Sequence, residues 1–101
     1  MLKYKIKSVL KIAERKVGHA QHLKAVNHPI RREILRIIYE NESIPEKELL
    51  KKLNDEDVID DSNVFTYHMD FLLQALCVEK VEEEGNTVYR ILPGGRVVEN
   101  F

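Results

Sequence analysis

Residues 63–91 read NVFTYHMDFLLQALCVEKVEEEGNTVYRI. Phe65, Met69, Leu72 and Leu73 recur at intervals of three and four, so the spacing predicts a helix from about Ser62 to Leu76. Asp61 is suited to cap its start, because a short carboxylate can accept from the first free backbone N–H groups. Cys77–Glu82 reads as a strand and Glu84-Gly85-Asn86 as a hairpin turn. Thr87–Leu92, rich in β-branched and aromatic residues, reads as the returning strand.

Upstream, Asp55-Glu56-Asp57-Val58-Ile59-Asp60-Asp61 is an acidic loop whose two apolar residues are placed to pin it to a core. Before it, Leu49, Leu50 and Leu53 mark the inner face of a short helix. Ser43 and Glu46 have capping-box spacing, with Pro45 just inside that helix. Asn41-Glu42-Ser43 is a turn. Ile30, Ile34, Leu35, Ile37 and Ile38 give another apolar stripe from Pro29 to about Glu40. Asn27-His28-Pro29 interrupts the pattern, since proline disfavours helix in the residue before it.

An amphipathic stripe also runs through residues 3–26, with Ile6, Val9, Leu10, Ala13, Val17, Ala20, Leu23 and Val26. Gly18 is placed to break or bend it. A helix this long, ahead of the first compact unit, is expected to pack on a second copy of itself, with Ile6, Val9, Leu10, Ala13 and Val17 as the dimer interface. The alternative is a helix lying across its own domain. Pro93-Gly94-Gly95 punctuates the other end, and Arg96–Phe101 is expected to form a short closing helix. The expected organisation is an N-terminal dimerisation helix at 1–26, a central unit at 27–92 and a C-terminal segment at 93–101.

Composition bounds the function. Hydrophobic residues make up 44% and charged residues 33% of the 101, the balance of an ordinary globular domain. Apolar runs are too short to span a membrane, and the lysine-rich start lacks the uninterrupted apolar stretch of a signal peptide. The single Cys77 excludes an intrachain disulfide and fits a reducing compartment, so a cytoplasmic location is expected. The net charge of −1 hides a division: the first 40 residues are strongly basic and the remainder strongly acidic.

Three helices followed by a two-stranded hairpin is the order of a winged helix-turn-helix, so the expected fold class is mainly α with a small β-hairpin (α+β). The stretch LKAVNHPIRREILRIIYE, residues 23–40, resembles the opening of winged-helix repressors of the arsenical-resistance (ArsR) type. Residues 63–91 resemble the same family's recognition helix and wing, with Thr66, His68, Met69, Leu72, Ala75, Cys77, Val78, Gly85, Tyr89 and Ile91 in matching places. The resemblance covers most of residues 20–92.

It implies a homodimeric, sequence-specific regulator of transcription that binds double-stranded DNA through a helix in the major groove. The exposed face of that helix would hold Ser62, Asn63, Thr66 and Tyr67. Asn can pair bidentately with adenine, Ser and Thr can reach base edges or phosphates, and Tyr can reach phosphates. Lys47, Lys51 and Lys52, with Arg31 and Arg32, are candidate phosphate contacts. His68 is expected to be structural.

The chain departs from the family's pattern at four places. The loop before the reading helix is about three residues longer than the family's tight turn and carries the carboxylates of Asp55, Glu56, Asp57, Asp60 and Asp61. Leu76 stands where a glycine ordinarily ends the recognition helix, so termination is expected to fall to another residue. The wing tip holds Glu82, Glu83 and Glu84, and like charges near phosphates cost affinity. The bracing helix has no thiols, and one cysteine cannot hold a soft metal, so no metal or cofactor is expected. His19 and His22 lack a third ligand beside them in sequence. There is no Gly-rich phosphate loop, nucleophile elbow or Cys-x-x-Cys, and no enzymatic activity is expected. The rival reading is a winged-helix module whose acidic surface binds a protein partner without DNA.

Overall fold

A computed structural model describes residues 17–100. The element order is α1 (His19–Val26), α2 (Pro29–Asn41), β1 (Ser43–Pro45), α3 (Glu46–Asp55), α4 (Ser62–Gln74), β2 (Val78–Glu83), β3 (Asn86–Ile91) and a closing 3₁₀ helix (Pro93–Asn100). The described chain is thus mixed α+β, with an antiparallel sheet in the order β1-β3-β2.

Local chemistry sets the boundaries. His28 is extended, and its ring Nδ1 accepts from the Ile30 N–H at 3.1 Å, while Pro29 occupies the first turn of α2, where its missing N–H costs nothing. α2 then turns Ile34, Leu35, Ile37 and Ile38 inward. Ala25 and Val26 of α1, Ile44 of β1, Leu49 and Leu53 of α3, Phe65, Met69 and Leu72 of α4, and Val78, Tyr89 and Ile91 of the sheet complete one core. Ile59 is buried and holds the acidic loop down. Each such aliphatic or aromatic side chain contributes about 1.5–3 kcal/mol on burial. That sum outweighs the left-handed backbone at Glu42, Asp57, Leu76 and Glu84, which costs about 1–2 kcal/mol per residue.

Three expectations need correction. The stripe over 3–26 is not one helix within the described residues: Gly18 is extended (φ −67°, ψ 153°) and α1 begins at His19. Val17 therefore lies outside a helix, packed against the core edge. Ile6, Val9, Leu10 and Ala13 lie outside the described residues. The Ser43–Glu46 capping box does not form. Residues 43–45 instead pair with β3 (Ser43↔Arg90, Ile44↔Tyr89, Pro45↔Val88), and Pro45 precedes α3 without a side-chain cap. Pairing buries Ile44, and the Glu46 carboxylate accepts from the Tyr89 hydroxyl at 2.8 Å. Finally, Leu76 ends α4 itself. It takes φ 57°, the Cys77 N–H donates to the Leu72 carbonyl at 2.9 Å, and the Leu76 N–H donates to the Leu73 carbonyl at 3.1 Å. Those two bonds are a Schellman closure, built here without glycine.

The β2–β3 hairpin turns at Glu84 (φ 51°) and Gly85 (φ 81°), the two positive values a type I′ turn demands. Beyond β3, the closing 3₁₀ helix passes close to the end of α4. A Cβ on Gly95 would collide with the Cys77 carbonyl oxygen, and one on Gly94 would sit 2.8 Å from that of Leu76. Arg96 then reaches Glu42 at 2.7 Å and holds its carboxyl below the usual carboxylate range.

Candidate functional site

α4 is held from behind and open in front. Asp61 caps it, accepting the Asn63 N–H at 2.8 Å. Phe65, Met69 and Leu72 lock one face into the core. Ser62, Asn63, Thr66, Tyr67 and Asp70 are exposed, and Tyr67 is 59% exposed. Positions 63, 66, 67 and 70 follow helical spacing, so they form one stripe. Thr66 donates its hydroxyl hydrogen to the Ser62 carbonyl at 3.0 Å. Val64, which periodicity alone passed over, is 38% exposed beside Asn63.

Behind Tyr67 lies a cluster that sequence reading did not foresee. Arg31, expected at phosphates, is instead 5% exposed. Its Nε donates to the Ala25 carbonyl at 2.8 Å, Nη2 to the Lys24 carbonyl at 2.9 Å, and Nη1 to His68 Nδ1 at 3.0 Å. The guanidinium also lies 4.2 Å from the centre of the Phe71 ring. It forms no ion pair with a carboxylate among the described residues; the carbonyls ending α1 and an aromatic face balance its charge. Helical spacing carried a signal for this, since Arg31 stands at i, i+3, i+4 and i+7 with the buried Ile34, Leu35 and Ile38; its partners, the end of another helix and a residue 37 positions away, were not visible in sequence.

An arginine can only donate, so His68 Nδ1 is the acceptor and the ring is neutral. His28 packs on His68 with ring centres 4.7 Å apart, and its own Nδ1 is occupied by the Ile30 N–H. Burial, His28 and Arg31 all lower the His68 pKa; burial and then Arg31 lower that of His28. Tyr67 meets His68 edge-on at 5.1 Å and Phe71 at 5.3 Å, so this cluster sets the base of the exposed tyrosine.

The other cations are distributed unevenly. Arg32 is exposed but spends Nη2 on Asn27 Oδ1 at 2.8 Å and Nε on the Val26 carbonyl at 3.2 Å. Lys51 pairs with Asp55 at 3.1 Å, both largely exposed, an attraction worth about 0.3–0.5 kcal/mol and easily exchanged. Lys47 and Lys52 make no ion pair among the described residues. Lys24, not anticipated from sequence, stands on α1 with its ammonium 5.5 Å from the Phe71 ring centre, close to the α4 face.

The hairpin is acidic and internally tied. Arg90 pairs with Glu83 at 2.9 Å and lies 4.0 Å from Glu79. Thr87 donates to Glu82 at 2.9 Å, and Glu82, Glu83 and Glu84 are exposed. Val17 lines a shallow groove of about 490 Å³ with His22, Ala75, Leu76, Leu92, Pro93 and Gly94. His22 donates to the Gly94 carbonyl at 2.8 Å, a structural use of its ring. Cys77 is buried, and burial pushes its thiol up to about 11, which leaves it unreactive at neutral pH. Among the described residues no three His, Cys, Asp or Glu side chains are grouped to hold a metal, and no helix is long and apolar enough to cross a membrane.

In comparisons with known proteins, no family model and no curated protein matches this chain.

Proposed function

We propose that this chain is a winged helix-turn-helix transcriptional regulator of ArsR-like type, without the metal-binding cysteines, that binds double-stranded DNA as a homodimer. α2, α3 and α4 are its three-helix unit, α4 its reading helix, and the β2–β3 hairpin its wing. The observation that carries the reading is the double character of α4: one face is anchored by Phe65, Met69 and Leu72, and the opposite face offers Ser62, Asn63, Thr66 and Tyr67 to solvent. A major groove admits one such helix, and its first turns meet base edges.

Phosphate contacts fall to Lys24, Lys47, Lys51, Lys52 and Arg32; Arg31 is withdrawn from that set and acts from behind. A homodimer doubles that set, so the affinity falls steeply as salt rises. Dimerisation is assigned to the N-terminal segment with Ile6, Val9, Leu10, Ala13 and Val17, and a cytoplasmic location follows from this role. No catalytic role or cofactor is proposed.

The internally paired, acidic wing favours a second reading, a protein-binding module that ignores DNA. Titration of mixed-sequence duplex at low and moderate salt separates the two. Retention at low salt that weakens at moderate salt supports the first, and no retention at low salt refutes it.

A further inference from the structure

The reading face has an unusual composition for a helix in a groove: the segment SNVFTYHMDFLLQ contains neither lysine nor arginine. The commonest specific contact to guanine is an arginine or lysine that donates to its O6 and N7 edge. The nearest guanidinium, Arg31, is buried with its donors engaged by Ala25, Lys24 and His68. Arg90 on the wing is held by Glu83 and Glu79. His68 is buried and cannot reach a base.

What the first turns do offer is different chemistry. Asn63 is exposed, and its side-chain amide makes no hydrogen bond among the described residues. An amide carries one donor and one acceptor side by side, the pattern that matches adenine N7 and N6. Val64, beside it, is an exposed apolar group on the same turn. Thr66 has committed its hydroxyl hydrogen to the Ser62 carbonyl, which leaves a methyl and acceptor lone pairs. A thymine C5-methyl is the one apolar group in the major groove. Asp70, which could accept from cytosine, stands two turns beyond Asn63, past the turns that meet base edges.

We infer that α4 reads A·T base pairs, with Asn63 on an adenine edge and its exposed neighbour Val64 against a thymine methyl. The inference rests on the DNA-binding reading above and names the class of sequence that reading requires. Val64 is thereby a specificity-determining residue, and the half-site centre contains no guanine contact from this helix.

The test is selection of duplexes with a randomised central segment by the full-length protein, followed by titration of the selected duplex, a G·C-substituted version and a uracil-for-thymine version. The expected outcome is A·T pairs at the selected positions. Asn63→Ala lowers the discrimination against the G·C version about tenfold. Val64→Ala removes a preference of roughly fourfold for thymine over uracil, the worth of one buried methyl. Both positions are exposed, so circular dichroism should show both variants folded. Selected duplexes with G·C at those positions, or variants that keep both preferences, overturn the inference while the DNA-binding reading survives. A pool that yields no retained duplex at low salt refutes that reading and this inference with it.

Discussion

Replacing Arg31 by methionine separates a structural arginine from one that serves phosphates. Methionine keeps the unbranched length and removes the fork of donors. Three acceptors then lose their partner: the Lys24 and Ala25 carbonyls and His68 Nδ1, at 2.9, 2.8 and 3.0 Å. The Ala25 carbonyl and His68 Nδ1 are buried, and each left unsatisfied costs about 1–3 kcal/mol; the part-buried Lys24 carbonyl turns to water, and the lost contact with Phe71 adds about 1 kcal/mol. Removing a buried, ion-pair-free charge returns several kcal/mol of desolvation. The net expectation is a destabilisation of about 2–3 kcal/mol, a large share of the roughly 5–10 kcal/mol a domain of this size possesses. Urea unfolding at pH 7.5, followed by far-UV circular dichroism, measures it. An exposed phosphate-contacting arginine gives the opposite pattern, with stability unchanged within about 0.5 kcal/mol and a loss only in DNA affinity. That pattern would refute the buried assignment.

The pH dependence of stability carries a definite sign. The folded pKa of His68 is lowered by burial and then by His28 and Arg31, and that of His28 by burial and then by Arg31, so stability is full above the ordinary histidine range. It falls as pH drops below about 6.5, where the unfolded chain takes up protons that the folded one refuses, and levels below the folded values; His28→Asn, which keeps a cap acceptor, should flatten part of that slope in urea titrations from pH 7.5 to acid. Glu84→Asn should raise stability by about 0.5–1 kcal/mol, because asparagine tolerates the left-handed turn position that Glu84 now occupies at φ 51°; thermal unfolding reads this, and an unchanged midpoint would contradict the turn assignment. Gly95→Ala should cost about 1–3 kcal/mol by the same assay, since the added Cβ meets the Cys77 backbone, which cannot step aside.

The helices α2 and α4 and the hairpin were legible because each has enough residues for periodicity to show, and because Pro29, Asp61 and Gly85 mark their ends by local chemistry. β1 was not legible: three residues are too few to display alternation, and its existence depends on a partner strand more than forty positions away. Ser43, with Glu46 just past the strand, offered a capping box, which lost to sheet pairing and the burial of Ile44. Leu76 shows a related limit. Glycine is the inexpensive residue for a left-handed end, but backbone closure onto Leu72 and Leu73 and the anchoring of Cys77 hold a leucine there. At the candidate site, the outward placement of Ser62, Asn63, Thr66 and Tyr67 followed from helix geometry. Helix geometry also set Arg31 on the face of Ile34, Leu35 and Ile38, but its charge argued for the surface, and only the three-dimensional meeting of α1, α2 and α4 supplies the compensating acceptors.

The most direct measurement is the affinity of wild type, Asn63→Ala and Tyr67→Ala for one selected duplex, with thermal unfolding of all three alongside. Each variant should lose about 1–3 kcal/mol of specific binding; Asn63→Ala keeps its stability within about 0.5 kcal/mol, and Tyr67→Ala, which loses its edge-on contacts with His68 and Phe71, is about 1–2 kcal/mol less stable yet folded. Binding at wild-type strength by both folded variants would mean that α4 is not the element that meets DNA.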